Sequence, residues 1–200
     1  MNAASSLRLR IAVPAAGFSR RLGRSKALVR VRRSSLLRRT VTLLATLTPS
    51  PILVIAPPKV GRFRNALRGL PAVVVPNSER GRGLSSSVRL ALRHARHASA
   101  LMLVPVDLPE LERRELGRLI HRWRGSRRRV VGRWVAGRAR IPLILPKRLF
   151  SAARGLSGDM GLRDFIDALP PGEVMLMDMP SAAADVDTPA DLARARRRAG

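Results

Sequence analysis

Short apolar runs rich in Val, Ile and Leu, at residues 9–13, 52–56, 72–75 and 100–106, alternate with longer stretches of helical spacing. Within 34–47, Leu37, Val41 and Leu44 fall on one face. Within 85–97, Val88, Leu92 and Ala95 line a face, while Arg89, Arg93 and Arg96 lie off it. After Pro109, the spacing of Leu111, Leu116, Leu119, Ile120 and Trp123 predicts another helix. Such β-α-β-α alternation requires a mostly parallel sheet with helices on both faces. The nearly continuous apolar strands fit burial on both sides. Past residue 125 the pattern loosens. Residues 130–131 and 141–145 read as strands joined through 132–140, followed by helices near 147–154 and 161–169. A strand at 173–178 and a final helix from Pro189 complete the chain, with no internal repeat and no linker long enough to divide domains.

Two hundred residues suit one domain, which at this size buries roughly 70% of its unfolded surface. A hydrophobic content of 46% excludes a disordered basic tail. The absence of cysteine excludes disulfides, thiolate metal sites and a Cys nucleophile. No apolar run approaches the roughly 18 residues of a membrane helix, and residues 1–10 lack the apolar region of a signal peptide. A cytoplasmic protein without membrane contact is therefore expected. The net charge of +26 is the outlying property. Residues 1–106 hold twenty basic residues and a single acid, Glu79. Such a field attracts polyanions. The arginines are nonetheless scattered, as compositional bias would leave them, and aromatics make up only 3%. Stacking platforms are scarce, so nucleic acid is not the expected partner.

In open α/β sheets, ligands bind beyond the carboxyl ends of the strands. The first apolar run leads into Pro14-Ala15-Ala16-Gly17-Phe18-Ser19-Arg20-Arg21-Leu22-Gly23-Arg24-Ser25-Lys26. Small residues at 15–17 let a ligand approach the backbone, and Gly17 and Gly23 permit positive φ. Ser19 offers a hydroxyl, while Arg21 and Lys26 supply charge for a phosphate chain. The loop is not a Walker A motif, because Gly23 is not followed directly by lysine, and it carries no G-x-G-x-x-G fingerprint. An ordinary glycine-containing turn is the competing reading.

Elsewhere the residues leave pairs of readings open. Asp107 follows the run 100–106, where a carboxylate holds Mg²⁺ against phosphate oxygens or caps a helix. Asp185 and Asp187 point the same way in an extended segment. Thr188-Pro189-Ala190-Asp191 reads as a helix start, which makes a structural role for Asp187 the alternative. Ser85, Ser86 and Ser87 precede a helix and either meet an anion or cap it. His94 and His97 lack an obvious third metal ligand. Met175, Met177 and Met179 read as core or strand surface.

Ala15-Ala16-Gly17-x-Ser19-x-Arg21-Leu22-Gly23-x-x-Lys26 resembles the signature of the MobA-like nucleotidyltransferases. Within them it is most similar to the molybdenum cofactor (molybdopterin) cytidylyltransferases. The resemblance continues in order over roughly residues 9–195, through Asn77, Gly83-Leu84-Ser85-Ser86-Ser87 and Val106-Asp107-Leu108-Pro109. It ends with Gly158-Asp159-Met160-Gly161-Leu162-Arg163 and Asp185-Val186-Asp187-Thr188-Pro189-Ala190-Asp191-Leu192. It implies a single-domain, Rossmann-like α/β three-layer sandwich. It also implies an Mg²⁺-dependent transfer of CMP from CTP to the phosphate of a pterin cofactor, releasing pyrophosphate, with a molybdoenzyme as a possible partner. In that reading Ala15, Ala16, Gly17, Ser19, Gly23, Asn77 and Ser86 contact the nucleotide. Asp107 and Asp187 hold the metal, with Asp185 as the substitute for Asp187. Arg21 and Lys26 stabilise charge on the leaving pyrophosphate, while Asp159 touches the acceptor or caps a helix. Cytidine over guanosine rests on Ala15-Ala16-Gly17 and on the lack of an acid before Lys26. Two departures bear on the acceptor side. Val106 replaces the family's glycine, and Arg140-Ile141-Pro142 stands where His or Asn commonly precedes Pro. Another nucleotide, another phosphorylated acceptor, or a non-catalytic basic relative binding nucleic acid are the alternatives.

Overall fold

A computed structural model describes residues 7–156 and 161–198. The segment Gly158-Asp159-Met160 thus lies outside the described residues. In chain order the elements begin β1 (Leu9–Pro14), β2 (Arg30–Val31), β3 (Ser34–Ser35), α1 (Leu36–Ala45) and β4 (Ile52–Ala56). They continue α2 (Gly61–Ala66), β5 (Ala72–Pro76), α3 (Leu84–His94), β6 (Ala100–Leu103) and α4 (Arg113–Ser126). The remainder are β7 (Val130–Val135), β8 (Arg138–Pro146), α5 (Phe150–Arg154), α6 (Leu162–Asp167), β9 (Val174–Met177) and α7 (Pro189–Arg198). Seven strands form one sheet in the order β5-β4-β1-β6-β8-β7-β9, and β2 pairs with β3 apart from it. Only β8 runs against its neighbours in the main sheet. The expected α/β three-layer architecture, mostly parallel with helices on both faces, is the one observed.

Strand periodicity builds the layers. On β1, Ile11 and Val13 enter one core with Leu37, Val41 and Leu44 of α1 and Leu119 and Trp123 of α4. Ala12 faces the other core, with Val88 and Leu92 of α3 and Phe150 of α5. Alternate side chains point to opposite faces, so a strand covered on both sides must be apolar throughout, and every residue of β4 is buried. Full burial of each such Leu, Ile or Phe contributes about 1.5–3 kcal/mol.

Several boundaries differ from the sequence reading. The expected strand 100–106 ends at Leu103, since Pro105 has no N–H to continue the ladder. The small β2–β3 hairpin takes up Ser34 and Ser35, and Ser35 caps α1 by accepting a hydrogen bond from the Arg38 N–H at 3.2 Å. Ser85, Ser86 and Ser87 do not precede α3 but lie in its first turn, behind Gly83 as N-cap. Between β7 and β8, Ala136 and Gly137 both take positive φ, 47° and 77°. This two-residue turn matches the right-handed twist of paired strands, so 130–146 is a hairpin. Within it, Gly132 pairs with Leu143 and Arg133 with Arg140, leaving Ile141 and Pro142 bulged from β8. A Cβ at Gly132 would stand 2.9 Å from the Ala139 Cβ, so only glycine permits this approach.

Candidate active site

From β1 the chain proceeds outward through β4 and β5, then returns to place β6 on the other side of β1. This reversal opens a crevice at the carboxyl ends of β1 and β6, the place where such sheets bind ligands. The loop leaving β1 and the loop leaving β6 meet there. Between them lies a cavity of about 330 Å³ lined in part by Ala15, Gly17, Ser19, Arg21 and Lys26. Asp107 and Asp187 also line it.

The loop leaving β1 is held in shape by its own polar groups. Ser19 takes the left-handed conformation at φ 52°, and Gly23 follows at 69°. Gly17, whose lack of a side chain permits positive φ, does not adopt it. The Ser19 hydroxyl oxygen accepts a hydrogen bond from the Lys26 N–H at 3.0 Å, which fixes where the lysine leaves the loop. Its ammonium then donates to Asp107 Oδ2 at 2.8 Å and to Asp187 Oδ1. Arg21, 70% exposed, donates to the other oxygen of Asp187.

The carboxylates come together through one backbone hydrogen bond, from the Val186 N–H to the Asp107 carbonyl at 2.9 Å. Val186 is buried in the core, which turns Asp185 and Asp187 outward beside Asp107. Carboxylate oxygens of all three lie within 4.8 Å of one another. Neither Asp107 nor Asp187 is used as a cap. α4 starts after Glu112, and Thr188 and Asp191 cap α7 by exchanging hydrogen bonds of 2.8 and 3.2 Å. Two unit charges at about 4 Å repel by roughly 4 kcal/mol at an effective dielectric near 20. A triad of carboxylates therefore needs cations, and Lys26 and Arg21 stand there. Hydrogen bonding from Lys26 outweighs burial and holds Asp187 below the ordinary carboxylate range. Burial pulls Lys26 down, but Asp107 and Asp187 more than offset it and raise its pKa. Oxygen-only ligands gathered around resident cations fit a hard divalent ion.

The other expected nucleotide contacts are placed differently. Ala16 is in the core beneath the loop, and Gly23 ends its 3₁₀ turn. Asn77, 3% exposed, donates through Nδ2 to the hydroxyls of Ser86 and Ser87 at 2.9 and 3.0 Å and accepts from the Glu79 N–H. Asn77 and Ser86 are thus brought together as a buried brace between β5 and α3.

A second cavity, of about 340 Å³, adjoins the first and shares Asp107 and Ile141 with it. Arg133 and Arg140 line it among apolar side chains such as Leu143 and Ile166. Arg140 entered the sequence reading only within the departure Arg140-Ile141-Pro142, and Arg133 did not stand out; a charged residue after Gly132 was the available signal. Arg140 is committed to Asp167 of α6 through bonds of 2.8 and 3.0 Å. These bonds, joined by the one from Arg138, outweigh burial and hold Asp167 below its ordinary pKa. A depressed carboxylate contributes stability above its unfolded pKa and loses that contribution as pH falls through its folded pKa. Asp167→Asn is expected to cost about 1–3 kcal/mol at pH 7. The gap from wild type should shrink in thermal unfolding below about pH 4.

A mostly parallel α/β sheet with a basic loop after its first strand and carboxylates at the switch point has the arrangement of a nucleotide-binding enzyme. The sequence matches the MobA-like NTP transferase domain over residues 11–186, and the chain belongs to that family of nucleotidyltransferases. Comparison with curated proteins by sequence finds no match. Among solved structures, Rv0371c from Mycobacterium tuberculosis H37Rv is 26% identical, with a TM-score of 0.78 over 98% of this chain and all of that one. A complex of Rv0371c with manganese aligns at 23% identity and a TM-score of 0.73, over 95% of this chain and 98% of that one. Two further structures share the fold. The 2-C-methyl-D-erythritol 4-phosphate cytidylyltransferase from Thermus thermophilus has 19% identity and a TM-score of 0.70, over 96% and 98% of the two chains. Molybdopterin-guanine dinucleotide biosynthesis protein A from Archaeoglobus fulgidus has 16% identity and a TM-score of 0.74, over 94% and 97%. No helix among the described residues is long and apolar enough to cross a membrane.

Proposed function

We propose that this nucleotidyltransferase moves CMP from CTP to the phosphate of a pterin acceptor, with Mg²⁺ as its working ion, in the cytoplasm. The observation that carries the reading is the meeting of Lys26, Asp107 and Asp187 at one cavity beside the loop of β1. An acceptor phosphate oxygen attacks the α-phosphorus, the α–β bridging P–O bond breaks, and pyrophosphate leaves with the bonding electrons. No covalent enzyme intermediate is required, so positioning and electrostatics carry the chemistry. Asp107, Asp185 and Asp187 would hold the ion, which supplies charge neutralisation across the phosphates. Rv0371c with manganese is the precedent for a divalent ion on this fold. Ala15 and Gly17 leave the loop backbone open to the triphosphate. Lys26 and Arg21 answer the charge that develops on pyrophosphate. Ala16, Gly23, Asn77 and Ser86 support the nucleotide site from below by shaping the loop and the β5–α3 brace.

A second reading keeps the transfer but changes the nucleotide or the phosphorylated acceptor. Ile141 favours it, because an apolar side chain stands where both cavities meet. A non-catalytic nucleic-acid binder fits less well, since three gathered carboxylates repel a polyanion at the site's centre.

Thermal stability against CTP, GTP, ATP, UTP and bare pyrophosphate, each with and without Mg²⁺, tests the proposal. Free ligand at 100 times its Kd adds about 2.7 kcal/mol. A Mg²⁺-dependent shift largest with CTP is expected. Equal shifts with every polyanion, indifferent to Mg²⁺, would overturn it.

A further inference from the structure

We infer that Arg133 is the acceptor-binding residue of this enzyme, receiving the anionic group of an acceptor whose body is apolar. The inference rests on the nucleotidyl-transfer reading and adds a residue that the sequence motifs do not contain. Arg133 lines the second cavity from β7, on the side of the carboxylate triad away from the phosphate loop. Its Nη1 donates to the Ala182 carbonyl, which orients the guanidinium, while its Nε is buried with no partner. No carboxylate among the described residues forms an ion pair with it; Asp185 and Asp107 act on it only at longer range. Burial accordingly depresses its pKa despite those two acids.

The neighbouring arginine makes the contrast. Arg140 spends its fork on Asp167, as a structural guanidinium does. A half-buried arginine left without such a partner is costly to maintain, and an anion entering the cavity removes that cost. The local backbone is built for the placement. The register shift between Gly132 and Arg133 occurs where Ile141 and Pro142 bulge from β8, and bulges commonly re-aim side chains beside active sites. Leu143, Leu162 and Ile166 add apolar walls suited to a ring or hydrocarbon body. Asp107 borders both cavities, so an anion on Arg133 sits next to the site of transfer.

Phenyl phosphate, a monophosphate on an apolar ring, is the probe. It is titrated calorimetrically at fixed ionic strength into the free protein and into protein with Mg²⁺ and a non-hydrolysable CTP analogue. Arg133→Met is expected to weaken phenyl phosphate binding by about 10–100-fold, with Arg133→Lys recovering part of the loss. Affinity for the Mg²⁺–CTP analogue should stay within about twofold. Arg93→Met removes the same charge from an exposed face of α3 and should leave both affinities near wild type. Unchanged phenyl phosphate binding in Arg133→Met, or an equal loss in Arg93→Met, overturns the inference. If wild type binds phenyl phosphate through Arg133 but binds no nucleotide, the anion site stands and the transfer reading falls.

Discussion

Asp107→Asn is expected to slow nucleotidyl transfer by about 100- to 1,000-fold or more while leaving the fold intact. Asp107 is the carboxylate common to both cavities, so in the proposed transfer its charge would face the nucleotide and the acceptor at once. Asparagine keeps the size and one oxygen but removes the charge that balances a divalent ion. The backbone role of this residue survives, because its carbonyl still accepts from Val186. Lys26 also keeps Asp187 as a partner, so stability should change little. Pyrophosphate release under saturating CTP and Mg²⁺, beside thermal unfolding of both proteins, checks this result. Near-wild-type turnover would remove Asp107 from the catalytic centre.

Lys26→Met should move two measurements in opposite directions. The ammonium bridges Asp107 and Asp187 and is only 15% exposed, in a position a divalent cation would contest. Removing it leaves Asp107 without its ion-pair partner and Asp187 with only the exposed Arg21, and Mn²⁺ affinity measured by electron paramagnetic resonance should rise about tenfold. Turnover should nevertheless fall by about 100-fold or more, because only the exposed Arg21 would then meet the pyrophosphate as it leaves. The two effects would have one cause: a lysine that neutralises the carboxylates and, in the proposed transfer, the phosphates. Weaker Mn²⁺ binding in the variant would show that the ammonium does not contest the metal position.

Much of this architecture was legible before any coordinates. The all-apolar run at 52–56 became β4, because burial on both faces leaves no position for a polar residue, and the run at 9–13, apolar but for the partly buried Arg10, became β1. The loop 15–26 was recognisable because its small and basic residues are contiguous. Strand ends were less legible, as at 104–106, where Pro105 stops the ladder while the apolar pattern continues. The hairpin 130–146 was blurred because its arginines interrupt the alternation, although Ala136-Gly137 supplies the turn.

The site divides along the same line. Local order determined which residues are candidates for the chemistry: a lysine closing a basic loop, an aspartate after a strand, two aspartates spaced two apart. Tertiary structure decided which of them meet. It brought Lys26 to Asp107 across 81 positions and to Asp187 across 161. It also sent Asn77 and Ser86 to each other within the β5–α3 brace. Arg133 acquired its place only through the strand order and the bulge opposite it. Periodicity records whether a side chain faces core or solvent, a local property of helix and strand. The partner of a polar side chain depends on how distant segments are registered in the sheet, and that is settled by packing the whole core.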